Sequence, residues 1–159
     1  MKKKIFFIFI FFLLTVNSFS AGTSGAGTKS NYDQAVKLIE AAKKYERKGK
    51  LKKANKRYEK AKKLLVKSNN EKPSQADTLN YLGFTTRKLG DYENGEKYYL
   101  LGLELDPNHK GINEYLGELY VATNRIDLAK ERLEVLKNCN CEEYKELKEI
   151  IDGTKKSKY

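Results

Sequence analysis

One stretch, from Ala76 to His109, constrains the fold of this chain more than any other part of the sequence. It reads ADTLNYLGFTTRKLGDYENGEKYYLLGLELDPNH and contains two helical patterns joined by a tight turn at Gly90–Tyr92. The second pattern ends at Leu105–Pro107, because proline lacks a backbone N–H and disfavours helix in the residue before it. The stretch therefore predicts a pair of helices with a defined turn and a defined end.

This helix pair resembles a tetratricopeptide repeat (TPR), in which helix A and helix B pack together and small residues stand where they cross. The matching positions are Leu79, Leu82, Gly83 and Thr86 in helix A and Gly95, Tyr99 and Gly102 in helix B. Thr86 replaces the family's usual aromatic residue, and Gly95 and Gly102 replace alanine at about 1 kcal/mol each in helix propensity. The resemblance implies an all-α fold in which repeats stack into an α-solenoid.

Neighbouring repeats are expected on both sides, because one repeat cannot bury its apolar face alone. Downstream, at a period of 34 residues, the pattern recurs at Asn113, Leu116, Gly117, Tyr120, Ala129, Leu133 and Leu136. Upstream, at a period of 41 residues, it recurs at Leu38, Ala41, Ala42, Tyr45, Ala54, Tyr58 and Ala61. The extra residues fall in the polar connector 69–75, where an insertion costs little. The three predicted repeats are 35–68, 76–109 and 110–138.

An amphipathic stretch follows the third repeat, with Tyr144, Leu147, Ile150 and Ile151 at helical spacing. Since a solenoid leaves its last B helix with a bare apolar face, we expect a capping helix over 141–152. A helix that protrudes toward a partner is the alternative. The prediction is an all-α fold, an α-solenoid of three TPR helix pairs plus a C-terminal capping helix. The predicted helices are 33–48, 51–68, 75–89, 92–105, 110–123, 126–137 and 141–152.

The two ends of the chain have a different composition from the predicted TPR domain, 33–152. Residues 1–20 combine a basic start, an apolar run of about a dozen residues and small residues near Ser20, which predicts a secretory signal peptide. It resembles a bacterial general-secretion signal, so we expect a periplasmic or secreted protein. A retained membrane anchor is the alternative. The Gly/Ser/Thr-rich segment 21–32 is expected to be a flexible leader, and 153–159 a disordered tail.

The chain has two cysteines, Cys139 and Cys141, and an even number in an oxidising compartment suggests a disulfide. Reduced thiols, pairing between chains and metal binding are the alternatives. Zinc needs about four ligands, and the single histidine, His109, is far away in sequence, so we expect no metal site. The sequence has no glycine-rich phosphate loop and no nucleophile–base pattern. We therefore expect no catalytic residues, no cofactor and no enzymatic activity.

The TPR resemblance implies that the A helices line a concave groove that binds a partner. The predicted groove residues are Lys43, Arg47, Asn80, Phe84, Arg87, Lys88, Glu114 and Glu118. Phe84 is expected either to anchor the partner or to pack between A helices as core. Some TPR domains hold a C-terminal carboxylate at positions that here carry Ile39, Lys43, Tyr81, Gly111 and Tyr115. Only Lys43 suits that role, so we do not expect a carboxylate clamp.

The predicted first repeat is strongly basic, with fourteen Lys and Arg between residues 35 and 68 against three acidic residues. A basic patch formed by Lys52, Lys53, Lys56 and Arg57 would attract an anionic membrane surface or polymer. A lysine-rich solvated helix face is the simpler interpretation. No nucleic-acid-binding motif accompanies the charge.

The leading hypothesis is a non-enzymatic, exported TPR scaffold that binds a protein or peptide partner in its concave groove, within an envelope or secretion-linked assembly. The alternative is a membrane-surface or anionic-polymer binder that acts through the basic first repeat. Self-association through the oppositely charged ends of the array is a third hypothesis. The sequence identifies neither the partner nor the oligomeric state.

Overall fold

The computed structural model describes residues 29–157. Within that range the chain forms seven α-helices and no strand: α1 (Asn31–Arg47), α2 (Leu51–Glu71), α3 (Ala76–Lys88), α4 (Tyr92–Leu105), α5 (Lys110–Ala122), α6 (Ile126–Leu136) and α7 (Glu142–Ile151). The predicted signal peptide, 1–20, lies outside the described residues, as does the leader up to residue 28. No helix in the described range combines the length and the apolar character needed to span a bilayer.

Three helix pairs stack in order, α1 with α2, α3 with α4 and α5 with α6, and α7 follows them. The predicted all-α solenoid is therefore confirmed. The same backbone hydrogen bond closes each turn within a pair. It runs from Lys50 N to Tyr45 O (2.9 Å), from Asp91 N to Thr86 O (3.2 Å) and from Arg125 N to Tyr120 O (2.7 Å). The repeat is thus periodic in backbone geometry as well as in sequence.

The second turn requires a left-handed backbone conformation, which explains why position 90 is a glycine. Gly90 has φ 93°, a conformation that glycine adopts without the steric penalty of a Cβ. Asp91 follows it and caps α4, because its carboxylate Oδ1 accepts a hydrogen bond from Asn94 N at 3.1 Å. Gly90 and Asp91 together stop one helix and start the next.

Two glycines in the A helices mark close helix contacts. A Cβ on Gly83 would lie 2.5 Å from Tyr99 Cε1 of α4, and a Cβ on Gly117 would lie 2.6 Å from Leu147 Cδ2 of α7. Leu147 and Ile150 are buried. The apolar side of α7 therefore packs on the last repeat, as expected of a capping helix.

The described part of the chain contains two apolar core clusters. One lies between α1, α2 and α3 and includes Ile39, Tyr58 and Phe84. The other lies between α4, α5 and α6 and includes Tyr99 and Ile112. The half-buried ring of Tyr115 packs against both clusters. The side chains at the junction of α3 and α5 therefore connect the two halves of the solenoid.

The first helix pair is longer than predicted at both ends. Helix α1 begins at Asn31, inside the predicted leader, because the Ser30 hydroxyl accepts a hydrogen bond from Asp33 N (3.1 Å) and caps the helix. Helix α2 continues to Glu71, which lies inside the predicted connector 69–75. The Asn31 side-chain amide donates to Glu71 Oε1 at 2.7 Å. This contact between distant residues stabilises both extensions, and local sequence does not reveal it.

The start of the C-terminal tail is ordered, which differs from the prediction for 153–159. Thr154 N and Lys155 N both donate to the Glu149 carbonyl oxygen, at 3.0 and 3.1 Å. Lys155 Nζ also lies 3.1 Å from Glu146 Oε1. The tail thus folds back along α7, where Lys155 pairs with glutamates of the helix, and the described part of the tail ends at Ser157. The last two residues are outside the described range.

Candidate functional site

A groove of about 690 Å³ opens between α1 and α7 and reaches down to α5. Its lining residues are Glu40, Lys43, Glu46, Arg47, Glu114, Tyr115, Glu142, Glu143 and Glu146. Three of the eight groove residues predicted from the sequence are in this lining: Lys43, Arg47 and Glu114. The other five lie outside it: Asn80, Phe84, Arg87, Lys88 and Glu118. We call this space the α1–α7 groove.

Phe84 is part of the core and is not an exposed anchor. Its side chain is fully buried, with ring centroids 5.8 Å from Tyr58 and 5.2 Å from Tyr115. Lys43 Nζ lies 5.0 Å from the ring centroid, within the range of a cation–π contact. The second interpretation of Phe84, packing between A helices, is the one that the structure supports. Lys43 covers the ring and itself faces the groove.

Arg87 and Glu118 form an ion pair inside the protein and do not face the groove, contrary to prediction. Arg87 Nη2 lies 3.3 Å from Glu118 Oε2, and each side chain is only 1% exposed. Arg87 Nη1 also donates to the Tyr115 carbonyl oxygen at 3.0 Å. These contacts tie α3 to α5. A position on the groove side of an A helix becomes buried here because the next A helix covers it.

Lys88 and Asn80 are also engaged in contacts between helices. Lys88 Nζ lies 2.6 Å from Glu46 Oε1, and Glu46 Oε2 accepts a hydrogen bond from the Tyr58 hydroxyl at 2.9 Å. Burial lowers the pKa of the Lys88 ammonium, and the Glu46 carboxylate opposes that shift. Asn80 is buried, with Nδ2 2.9 Å from where a Cβ on Gly111 would stand. Lys88 thus binds α3 to α1, and Asn80 packs on α5.

The α1–α7 groove is acidic, because glutamates outnumber cations six to two in its lining. The α7 helix contributes three of them, Glu142, Glu143 and Glu146. These residues were not among the predicted groove residues, because α7 was predicted only as an apolar cap. The available signal was the spacing of Glu142 and Glu146, since residues i and i+4 of a helix lie on the same face. The capping helix therefore forms one wall of the groove.

Three carboxylates converge where α5 meets α7. Oxygens of Glu114, Glu118 and Glu146 all lie within 4.8 Å of one another. Cations of the chain itself are already at this cluster, because Arg87 pairs with Glu118 and Lys155 with Glu146. The negative charge of these three carboxylates is therefore partly compensated by Arg87 and Lys155 of the same chain.

The basic patch lies on α2. Lys52, Lys53 and Lys56 are exposed and Arg57 is half-buried. A shallow recess of about 620 Å³ is lined by Tyr45, Lys53, Lys56, Arg57, Glu59, Lys60 and Lys63. Lys53 Nζ lies 5.9 Å from the Tyr45 ring centroid. The structure therefore brings three of the four predicted patch residues together around this recess.

The cysteines and the histidine lie in loops. Cys139 and Cys141 are joined by a disulfide between α6 and α7, with Cα atoms 5.2 Å apart. His109 precedes α5, and its Nδ1 accepts a hydrogen bond from Ile112 N at 3.1 Å. Its Nε2 lies 3.1 Å from Asp77 Oδ1. Because Nδ1 accepts, the N–H is on Nε2, and it donates a hydrogen bond to Asp77 Oδ1. The histidine is thus a helix cap.

Comparisons with known proteins agree with this architecture. Residues 76–109 match the tetratricopeptide repeat family. The first TPR of Spaghetti (RPAP3), solved with the HSP90 peptide SRMEEVD, superposes with a TM-score of 0.53 at 21% identity. That match covers 80% of this chain and 98% of the other, and at this identity it shows the fold alone.

A curated relative matches over a shorter stretch. The Sol locus transcriptional repressor of Clostridium acetobutylicum is 38% identical over 73 residues, which are 43% of this chain and 23% of that protein. The chain thus spans less than a quarter of that relative's length. Residues 76–109 thus match a tetratricopeptide repeat, and the stacked helix pairs on either side of them share the fold of the RPAP3 TPR domain.

Proposed function

We propose that this chain is a non-enzymatic, exported scaffold that binds a protein or peptide segment in the α1–α7 groove. The observation that carries the proposal is the groove itself, an open channel with walls from α1 and α7. Its volume lies within the roughly 300–1,000 Å³ of ligand pockets. Its lining is mostly charged, which suits an extended polar segment better than an apolar small molecule.

The fold also supports the proposal that the chain binds a peptide. The RPAP3 domain, which resembles this chain in fold, was solved with a peptide bound. Export is proposed from the composition of residues 1–20, and the disulfide between Cys139 and Cys141 suits an oxidising compartment. An envelope or secretion-linked assembly is the setting that we propose.

The test is a selection of random displayed peptides on the immobilised full chain. Enriched peptides are then measured on a variant that fills the groove, Arg47→Trp/Glu143→Trp. Both positions line the groove outside the core, so the fold should persist. We expect binding to weaken at least about tenfold, equivalent to 1.4 kcal/mol.

The matched control places tryptophans on α4, at exposed Lys97 and Glu104, and should bind like the parent chain. If every enriched peptide binds the groove variant and the parent equally well, peptide binding in this groove is refuted.

A second candidate function is adhesion to an anionic membrane surface or polymer through α2. It is favoured by the recess that gathers Lys53, Lys56 and Arg57. No α2 cation forms an ion pair in the part of the chain that the structure describes. Changing Lys52, Lys53, Lys56 and Arg57 to glutamate should abolish sedimentation with anionic lipid vesicles, and added salt should have the same effect. Equal sedimentation of parent and variant would exclude this candidate.

A further inference from the structure

We infer that the α1–α7 groove selects a lysine-rich peptide segment. This inference rests on the proposed function and adds the chemistry of the partner. Its first support is charge: the walls carry Glu40 and Glu46 from α1 and Glu142, Glu143 and Glu146 from α7. Carboxylates on facing walls surround a segment placed between them, and opposite charge on that segment is favoured from either side.

The two cations in the lining are fewer than its six carboxylates, although Lys88, Lys145 and Lys155 from outside the lining pair with Glu46, Glu142 and Glu146. Lys43 lies 3.7 Å from Glu40 Oε1 and covers the Phe84 ring. Arg47 is exposed at the end of α1. The α7 wall contributes three carboxylates to the lining and no cation. A bound segment would therefore place its lysines toward α7.

The second and independent support is a segment of this chain that already lies at the edge of the groove. After α7 the tail reads GTKKSKY, and its described part turns back toward α5. Lys155 Nζ lies 3.1 Å from Glu146 Oε1 and 3.6 Å from Glu149 Oε2. The Ser157 hydroxyl donates to Glu118 Oε2 at 3.4 Å.

The C-terminal tail is thus a lysine-containing segment of irregular conformation that contacts glutamates of α7 and α5 in the folded protein. A bound partner would form the same kind of lysine–glutamate contact further along the groove. Because it makes these contacts within the same molecule, it should also compete with a partner for Glu146.

Lysine suits this site better than arginine or an acidic residue. The glutamates of the two walls lie on separate helices, so a segment passing between them meets carboxylates from both sides. A compact ammonium on a long flexible stem can satisfy such separate carboxylates, whereas the planar fork of arginine matches one carboxylate bidentately. The half-buried ring of Tyr115 in the lining offers a surface for the stem of a lysine side chain.

The probe for the test is a fluorescein-labelled peptide of two tandem GTKKSKY copies, with a twin in which every lysine is glutamine. Fluorescence anisotropy measures the Kd of each for the full chain at low and physiological salt. We expect the lysine peptide to bind more tightly than its twin and to weaken as salt rises.

The groove variant Glu40→Gln/Glu142→Gln/Glu143→Gln should bind the lysine peptide about eightfold more weakly, at about a factor of two for each exposed charge contact. The matched control Glu93→Gln/Glu131→Gln/Glu134→Gln removes the same charge from exposed positions on α4 and α6. It should keep the Kd of the parent. The tail variant Lys155→Gln should bind the peptide about twofold more tightly, because one competing contact is lost.

Two results would overturn the inference. One is equal Kd for the lysine peptide and its glutamine twin. The other is equal weakening by the groove and control variants, which would show attraction to net charge alone. If the displayed-peptide selection instead yields acidic or uncharged peptides that the tryptophan-filled groove rejects, the inference fails while the proposed function stands. Circular dichroism of each variant verifies that the fold is retained.

Discussion

The buried ion pair between Arg87 and Glu118 gives a sharp test of how the repeats are held together. Each side chain is only 1% exposed, and the guanidinium also donates to the Tyr115 carbonyl oxygen at 3.0 Å. Replacing Arg87 with methionine keeps much of the side-chain volume but removes the cation from a buried carboxylate. Loss of one member of a buried pair costs about 3–5 kcal/mol. Since a domain of this size has about 5–15 kcal/mol of stability, Arg87→Met should remove a large part of it.

The double variant Arg87→Met/Glu118→Leu should be much less destabilised than the single one. It removes both charges together, so the main remaining cost is the Tyr115 carbonyl, which loses a donor worth about 1 kcal/mol. A comparable pair at the surface serves as the control. Arg125 binds Glu96 at 2.7 Å with side chains 37% and 21% exposed, and Arg125→Met should cost about 1 kcal/mol.

Urea unfolding followed by far-ultraviolet circular dichroism measures these free energies, provided that the m-value stays constant. The order of destabilisation should be Arg87→Met first, then the double variant and Arg125→Met together. The reasoning is refuted if Arg87→Met costs no more than Arg125→Met. It is also refuted if the double variant costs the sum of its two single variants, because contacting residues in one pair should couple.

Two other predictions concern the tyrosines and the capping helix. Burial raises the pKa of Tyr58, Tyr99 and Tyr115 well above the ordinary value near 10, so the folded chain keeps these protons after the unfolded chain has lost them. Their contribution to stability is therefore complete below about pH 10 and is lost as pH rises above it, which tyrosinate absorbance and urea unfolding should show together; equal titration of all tyrosines near 10 would contradict this. Leu147→Ala should cost about 2–5 kcal/mol, because Leu147 is buried against Gly117, whereas exposed Lys145→Ala should change the urea midpoint little. A Leu147→Ala midpoint equal to that of the parent would show that α7 is an appendage.

Local signals predicted the helices well. The turn at Gly90 requires a left-handed backbone, Asp91 caps the next helix, and Pro107 follows the end of α4. Each of these boundaries is therefore determined by a few neighbouring residues. The extension of α2 to Glu71 depends on Asn31, forty residues earlier in the chain. The residues around Ser68 do not indicate such a contact, and the predicted end of α2 at Ser68 was therefore too early.

The groove was harder to predict than the fold, because burial depends on how closely one A helix packs on the next. The TPR resemblance placed Arg87 in the groove and left Phe84 either in the groove or in the core, and the packing of α5 on α3 buries both. Periodicity gives the direction of a side chain but not the distance to its neighbour. Glu142, Glu143 and Glu146 were missed for the opposite reason, since nothing in α7 alone indicates that it stands across from α1. The signal peptide at 1–20 remains a prediction.

Two consecutive residues of α3 reach in opposite directions along the solenoid. Arg87 binds Glu118 on α5, and Lys88 binds Glu46 on α1. Repeat arrays are commonly described as one-dimensional chains whose units can unfold separately when the interfaces between them are weak. Here a single helical turn joins the first repeat to the second and the second to the third, and it does so at the junction of the two apolar clusters. The terminal repeats should consequently lose their structure in one cooperative transition with the middle repeat, and the width of the groove should be fixed by the last turn of α3.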